Sequence, residues 1–187
     1  VRLAPIKDVK TMIYAFFELH ERLPQVRLHI MGGVDDEEYG AECHALVETL
    51  GVRDLIFTGR VNVIEYMEKL DFTILTSISE GQPLSVLESL GARRPCVTTE
   101  VGCCRELLEG APGDDFGVAG FVTPPMYRKG LADAMERMCA SRARRIEMGE
   151  RGQRRVATYF LHEQMLANYR ALYDETARAF DLPQKEV

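Results

Sequence analysis

Glu80 and Glu88 flank a stretch, Ser79-Glu80-Gly81-Gln82-Pro83-Leu84-Ser85-Val86-Leu87-Glu88, whose residue types suit capture of an anionic, hydroxyl-bearing ligand. The apolar run Phe72-Thr73-Ile74-Leu75 before it reads as a buried strand, and residues 84–90 read as a helix. Pro83 suits the first helical position, where its missing N–H costs nothing. Gly81 lets the backbone turn tightly and approach a ligand. Strand, turn and helix start together aim free N–H groups, including those near Leu84 and Ser85, and a positive dipole end at one point. That combination is an anion site. Eight residues of helix would cover ~12 Å, so the two carboxylates could accept hydrogen bonds from hydroxyls at opposite ends of one ligand. Two structural explanations compete. Glu80 could merely complement the helix dipole, and Ser85-x-x-Glu88 could be a capping box.

Two cations could complete the site. Arg2 and Lys7 each read, taken singly, as ordinary solvated charges. Lys7 directly precedes Asp8, a good N-cap, and a cation at a helix start is unfavourable unless an anion is expected there. An arginine fork, a lysine point charge and the helix start after Pro83 could neutralise a diphosphate without a metal.

The elements that must position these groups alternate along the chain. Val1-Arg2-Leu3 reads as the tail of a strand that starts further upstream. Met12, Ile13, Phe16 and Leu19 recur at helical spacing and predict a helix over 9–22. Strands are predicted at 26–31, 55–58, 72–76, 95–98 and 120–122, with helices at 36–50, 62–69, 84–93 and 104–108. Short apolar strands without two-residue alternation argue for a parallel sheet of about six strands, covered on both faces. Ligands on such sheets bind beyond the carboxyl ends of the strands, where Arg2, Lys7, Gly32, Gly59, Glu80 and Gly102 fall. The acidic loop Gly113-Asp114-Asp115 reads as exposed. After Pro124-Pro125 the pattern is helical at 127–140, 142–158 and 162–180. The last helix carries an apolar stripe suited to packing on this or another domain, or to a dimer seam. The residues 184–187 read as a frayed tail.

Composition narrows the function. The net charge is −6 and the pI is near 5.3, which argues against a broad nucleic-acid surface. No run approaches the ~20 apolar residues of a membrane span. Five cysteines without a C-x-x-C pair point to free thiols in a reducing cytoplasm. The sequence has no G-x-G-x-x-G, no P-loop and no Asp-x-Asp pair, and its four histidines lack ligand spacing.

The ordered set Arg2-x4-Lys7-Asp8, Ser79-Glu80-Gly81-x-Pro83, Glu80-x7-Glu88, Gly91-x3-Pro95-x-Val97-x-Thr99 and Gly102-x3-Glu106-Leu107 resembles the C-terminal domain of family 4 retaining glycosyltransferases of the GT-B fold. The likeness covers nearly the whole chain. The phrases Ala4-Pro5-Ile6-Lys7-Asp8-Val9-Lys10-Thr11, Leu75-Thr76-Ser77-Ile78-Ser79-Glu80 and Cys104-Arg105-Glu106-Leu107-Leu108 look nearest to the cytosolic glycosyltransferases of Pel exopolysaccharide synthesis.

This resemblance implies an α/β, Rossmann-like doubly wound parallel sheet with C-terminal helices. It implies a nucleotide-sugar domain over 1–160, a packing helix over 161–187, and an acceptor-binding N-terminal domain not included in these 187 residues. It also implies donor binding, with a UDP-sugar as substrate, no metal cofactor, and transfer of a hexose to a growing glycan. Contact with a membrane polysaccharide-synthesis complex is a further implication, and the expected location is cytoplasmic. By position, Arg2 and Lys7 would bind the diphosphate, Glu80 the sugar and Glu88 the ribose. The turn Gly81-Gln82-Pro83 and the N–H groups of Leu84 and Ser85 would bind a phosphate, and the backbone near Val61 the base. Within this reading Glu80, Arg2 and Lys7 are the catalytic candidates. Two departures stand out: Val1 occupies a frequent glycine position, and Cys103 replaces a frequent second glycine after Gly102. A non-catalytic nucleotide-sugar sensor, an assembly module and a sugar epimerase on the same fold are the competing expectations.

Overall fold

Steps of three and four between Met12, Ile13, Phe16 and Leu19 place one apolar face on helix α1 (Val9–Arg22), and each of those side chains is buried. Asp8 caps the helix, its carboxylate accepting from the Thr11 N–H. The computed structural model describes residues 2–180. After α1 follow β1 (Leu28–Met31), α2 (Glu37–Leu50), β2 (Leu55–Gly59), α3 (Val63–Met67), β3 (Thr73–Leu75) and α4 (Leu84–Gly91). Then come β4 (Cys96–Thr99), α5 (Cys104–Glu109), β5 (Gly120–Thr123), α6 (Arg128–Cys139), α7 (Arg142–Tyr159) and α8 (His162–Ala179). The α/β reading holds, and all pairings are parallel.

β1 pairs with β2, Leu28 opposite Leu55, and a separate sheet has the order β3-β4-β5 with Cys96 between Thr73 and Gly120. The single sheet of about six strands is therefore corrected. The described residues form two parallel sheets, because Leu3 makes only an isolated parallel bridge to Val34 and no strand joins β1 to β3. Helices cover both faces. One apolar cluster joins α1, α6 and Tyr39 and Cys43 of α2 to Leu28, Ile30 and Val97. A second joins Val86 and Leu90 of α4, Leu107 of α5 and Cys96, with Val156 of α7 against it. All four residues of β4 are buried, as a strand covered on both faces requires.

In the acidic loop Gly113 and Asp115 are exposed as expected, and only the Asp114 side chain departs from expectation. Asp114 is buried because Arg155 of α7, itself 1% exposed, reaches it with Nε at 2.5 Å and Nη2 at 3.0 Å. The same guanidinium donates to the carbonyls of Leu107, Leu108 and Gly117. One arginine thus ties α7 to the segment between α5 and β5, and the pairing satisfies a charge that would otherwise be costly to bury. Helix α8 forms where its periodicity places it, yet buries none of its residues, leaving Met165, Tyr169, Leu172 and Tyr173 exposed. Among the described residues no helix is long and apolar enough to cross a membrane. The frayed tail expected at 184–187 lies outside the described residues.

Candidate functional site

The 3-10 turn Pro5–Lys7 is held against the segment after β3 by two hydrogen bonds. Ile78 N–H donates to Ile6 O at 2.9 Å, and the Thr76 hydroxyl donates to Lys7 O at 2.8 Å. Those bonds carry Lys7 to Glu80. Lys7 Nζ lies 2.5 Å from Glu80 Oε1, and the buried Ser77 hydroxyl donates to the same oxygen at 2.7 Å. The two charged side chains are 18% and 16% exposed, sheltered yet reachable. Burial by itself would raise the Glu80 pKa. The hydrogen bonds from Lys7 and Ser77, with the charges of Lys7 and Arg2, outweigh it and hold the carboxyl below its ordinary range. Glu80 is therefore ionised and acceptor-only.

The turn after Glu80 is shaped by Gly102. A side chain there would stand 2.0 Å from Gly81 O and 2.4 Å from Glu80 O, and its φ is +50°. Cys103 N–H donates to Gly81 O at 2.9 Å, bracing the turn from behind. Cys103 itself has φ −89°, an ordinary right-handed value, so the loop needs no second glycine there.

Pro83 sits one position earlier than expected. It is the N-cap of α4, with Leu84 first in the helix and no side-chain capping bond. Pro83 O already serves the N–H groups of Val86 and Leu87, which leaves those of Leu84 and Ser85 directed outward at the exposed helix start. This geometry also removes the capping-box reading of Ser85 and Glu88. Glu88 is exposed on α4, and among the described residues its carboxylate has neither hydrogen bond nor ion pair.

Of the remaining expected residues, Gly81 and Gln82 are exposed on the turn and Val61 is half-buried just beyond Gly59. Gly32 N–H donates to Gly59 O, so the loops after β1 and β2 lie side by side. Arg2 is not drawn into the Lys7–Glu80 pair. It is well exposed and pairs with Asp35 at 2.9 Å, while its charge still reaches Glu80. Sequence reasoning missed Ser77, Asp35 and Arg60, the last lying against Gly33. A cation directly after the glycine that closes a strand was the signal for Arg60. No local pattern marked Ser77 or Asp35.

These groups form an open rim at the carboxyl ends of the strands. It offers one sheltered cation, one ionised acceptor, outward N–H groups and a second acceptor further along α4. Among the described residues no cluster of His, Cys, Asp or Glu could hold a metal ion.

A family model described as "Glycosyl transferases group 1" matches residues 1–141. The chain is 26% identical over 175 residues to N-acetyl-alpha-D-glucosaminyl L-malate synthase of Bacillus anthracis, covering 92% of this chain and 43% of that protein. It is 36% identical over 88 residues to the O-antigen biosynthesis glycosyltransferase WbnH of Escherichia coli, 46% of this chain and 24% of that one. The structure of Anabaena Alr3699/HepE in complex with UDP and glucose superposes with a TM-score of 0.79 at 24% identity, over 91% of this chain and 46% of that one. The C-terminal domain of LpcC, a glycosyl transferase group 1 family protein of Francisella tularensis, superposes with a TM-score of 0.74 at 19% identity, over 86% and 83%. The chain spans less than half the length of the curated relatives it matches. The fold is that of the C-terminal domain of GT-B glycosyltransferases, and the chain belongs to the glycosyl transferases group 1 family.

Proposed function

We propose that these residues form the donor-binding half of a family 4 retaining glycosyltransferase that takes a nucleotide diphosphate sugar, a UDP-sugar, and passes its hexose to a growing polysaccharide. The observation that carries this reading is the Lys7–Glu80–Ser77 constellation beside the outward N–H groups of Leu84 and Ser85. Similar folds holding UDP and glucose support the choice of donor.

Lys7 has three N–H donors and spends one on Glu80, which leaves donors for the donor's phosphates. Lys7, Arg2 and the Leu84 and Ser85 N–H groups meet the charge that develops on the diphosphate as its bond to the anomeric carbon breaks. No metal is needed in this scheme. Glu80, held ionised, accepts from sugar hydroxyls and orients the ring. Glu88 accepts from the ribose, the backbone at Val61 meets the base, and the Gly81-Gln82-Pro83 turn lets the phosphates approach. The acceptor and the opposite wall of the cleft belong to an N-terminal domain outside these residues. Retention of configuration and the assignment to Pel-type exopolysaccharide synthesis rest on the motif resemblance. With them goes a cytoplasmic enzyme working beside a membrane polysaccharide complex. On this reading, residues 1–160 are the donor domain and the helix from 161 packs on the N-terminal domain.

A thermal-shift panel of nucleosides, nucleoside diphosphates and their sugar conjugates tests the proposal, because a ligand that binds only the folded state raises the melting temperature by mass action. A shift with UDP and a larger one with a UDP-sugar is expected. No shift with any nucleotide would overturn it. The purified 187-residue chain should bind donor yet transfer no sugar.

A further inference from the structure

Strand β5 is an edge of its sheet and pairs on one side only, with β4. Cys96 donates to Ala119 O and Glu100 to Thr123 O, so alternation turns the backbone groups of Val122 away from β4. Beside that edge lies a cavity of about 460 Å³, within the range of about 300–1,000 Å³ usual for small-molecule sites. One wall is the face of α6 that carries Asp133 and Arg137. The other is the face of α7 that carries Arg144, Glu147 and Arg151. The cavity shares no lining residue with the Lys7–Glu80 rim.

The acids of this cavity are already engaged. Asp133 pairs with Arg22 at 2.8 Å, Glu147 with Arg151 at 2.5 Å, and Glu109, the third acid of the lining, with Arg105 at 2.8 Å. Arg137 and Arg144 each stand one helical turn from Asp133 and Glu147, respectively, where a pair could form. Among the described residues, however, neither has a hydrogen bond or a carboxylate partner. Both lie over the Phe121 ring instead, the guanidinium carbon 4.1 Å from the ring centroid in Arg137 and 5.4 Å in Arg144. A ring takes the face of a guanidinium and leaves its five N–H donors open. Two like charges gathered on one ring also repel, and an anion between them removes that cost.

We infer that this cavity is a second binding site, one that takes a sugar phosphate. The phosphate meets Arg137 and Arg144, whose planar forks fit its oxygens. Asp133, Glu147 and Glu109 keep unused lone pairs after their arginine contacts and accept from the sugar hydroxyls. A neutral sugar lacks the first set of contacts, and bare phosphate lacks the second. The inference goes beyond the donor reading and does not depend on it.

Nuclear magnetic resonance titration tests the site, following the Nε–H signals of Arg137 and Arg144 and the Val122 amide. The probes are glucose 6-phosphate, glucose and inorganic phosphate. Glucose 6-phosphate is expected to move all three signals and to bind about tenfold tighter than phosphate, while glucose moves none. Arg137→Gln with Arg144→Gln should weaken glucose 6-phosphate at least about tenfold, whereas Lys7→Ala should leave its affinity unchanged. If the glutamine pair unfolds the chain, Arg137→Lys with Arg144→Lys decides, because it keeps the charge and loses the fork. Affinity must fall there too, and an unchanged value overturns the site. Silence of all three signals with every probe also overturns it. Equal affinity for phosphate and glucose 6-phosphate overturns the sugar-phosphate class, leaving a site for any anion. Loss of binding in Lys7→Ala but not in the arginine variants places the probe on the donor rim and overturns the second site. No nucleotide enters the experiment, so its failure and a failure of donor binding are told apart.

Discussion

Lys7 Nζ sits 2.5 Å from Glu80 Oε1 across 73 positions of sequence, and the pair is sheltered without being sealed. Opposite charges held at such a spacing cost little to keep and restrain each other's rotamers. The lysine is thereby preorganised for an anion and the glutamate for hydroxyl donors. Each partner's removal should consequently be felt by a different part of a donor.

Glu80→Ala is expected to weaken a UDP-sugar while leaving UDP nearly unchanged, whereas Glu88→Ala should weaken both. A lost hydrogen-bond partner costs on the order of 1–3 kcal/mol. Titration calorimetry with nucleoside, UDP and UDP-sugar separates the two. If both variants melt earlier but keep every relative affinity, the glutamates serve the fold alone.

Lys7→Ala should weaken UDP and UDP-sugar alike and spare the nucleoside, since only the phosphates meet the ammonium. Arg2→Ala should do the same more weakly, because Arg2 is well exposed and already engaged with Asp35. Raising the salt concentration should shrink the Arg2 effect further, as screening acts most on exposed charge. The same calorimetry, repeated at two ionic strengths, checks both points.

Gly102→Ala is expected to abolish donor binding at little distance from the chemistry itself. Its Cβ would collide with the carbonyls of Gly81 and Glu80, and its φ is left-handed. Comparing UDP affinity and melting temperature with those of Gly51→Ala, a left-handed glycine with open space around it, isolates the collision from backbone strain.

Arg155→Ala should destabilise the chain by about 3–5 kcal/mol, the cost of leaving a buried charge unpaired, as read from urea denaturation. The pH dependence follows from the partner. The hydrogen bonds from Arg155 hold Asp114 below its ordinary value of 3.8, against the opposing effect of burial. The unfolded state therefore binds this proton more readily. The stabilisation is complete above the unfolded pKa and is lost as pH falls through 3.8 toward the depressed folded value. Asp114→Asn should flatten that acid loss, and Glu80→Gln should remove a second part of it, since Glu80 is depressed in the same direction. Denaturation midpoints measured between about pH 6 and about pH 2 (a range set by about two units around the reference carboxylate values) check the sign.

Helix α1 was legible to the residue, since a 3.6-residue period and an aspartate cap are local properties carried by neighbours in sequence. The strand cores, α7, α8 and the helix after Pro83 were legible to within one or two residues at their ends, because their periods are also local. Local pattern was less sure at Pro83, where one residue decides between cap and first turn. What the sequence could not decide was who meets whom. Ser77 on Glu80, Asp35 on Arg2 and Arg155 on Asp114 are pairings of side chains brought together by the packing of separate segments. One side chain of an otherwise exposed acidic loop, Asp114, became the buried anchor of α7 for that reason alone. Likewise, short apolar strands announce a parallel sheet but not its continuity. Each strand's period is set by its own residues, whereas its neighbours are chosen by the packing of α1 and α6 on one face and α4 and α5 on the other, which only the folded chain determines.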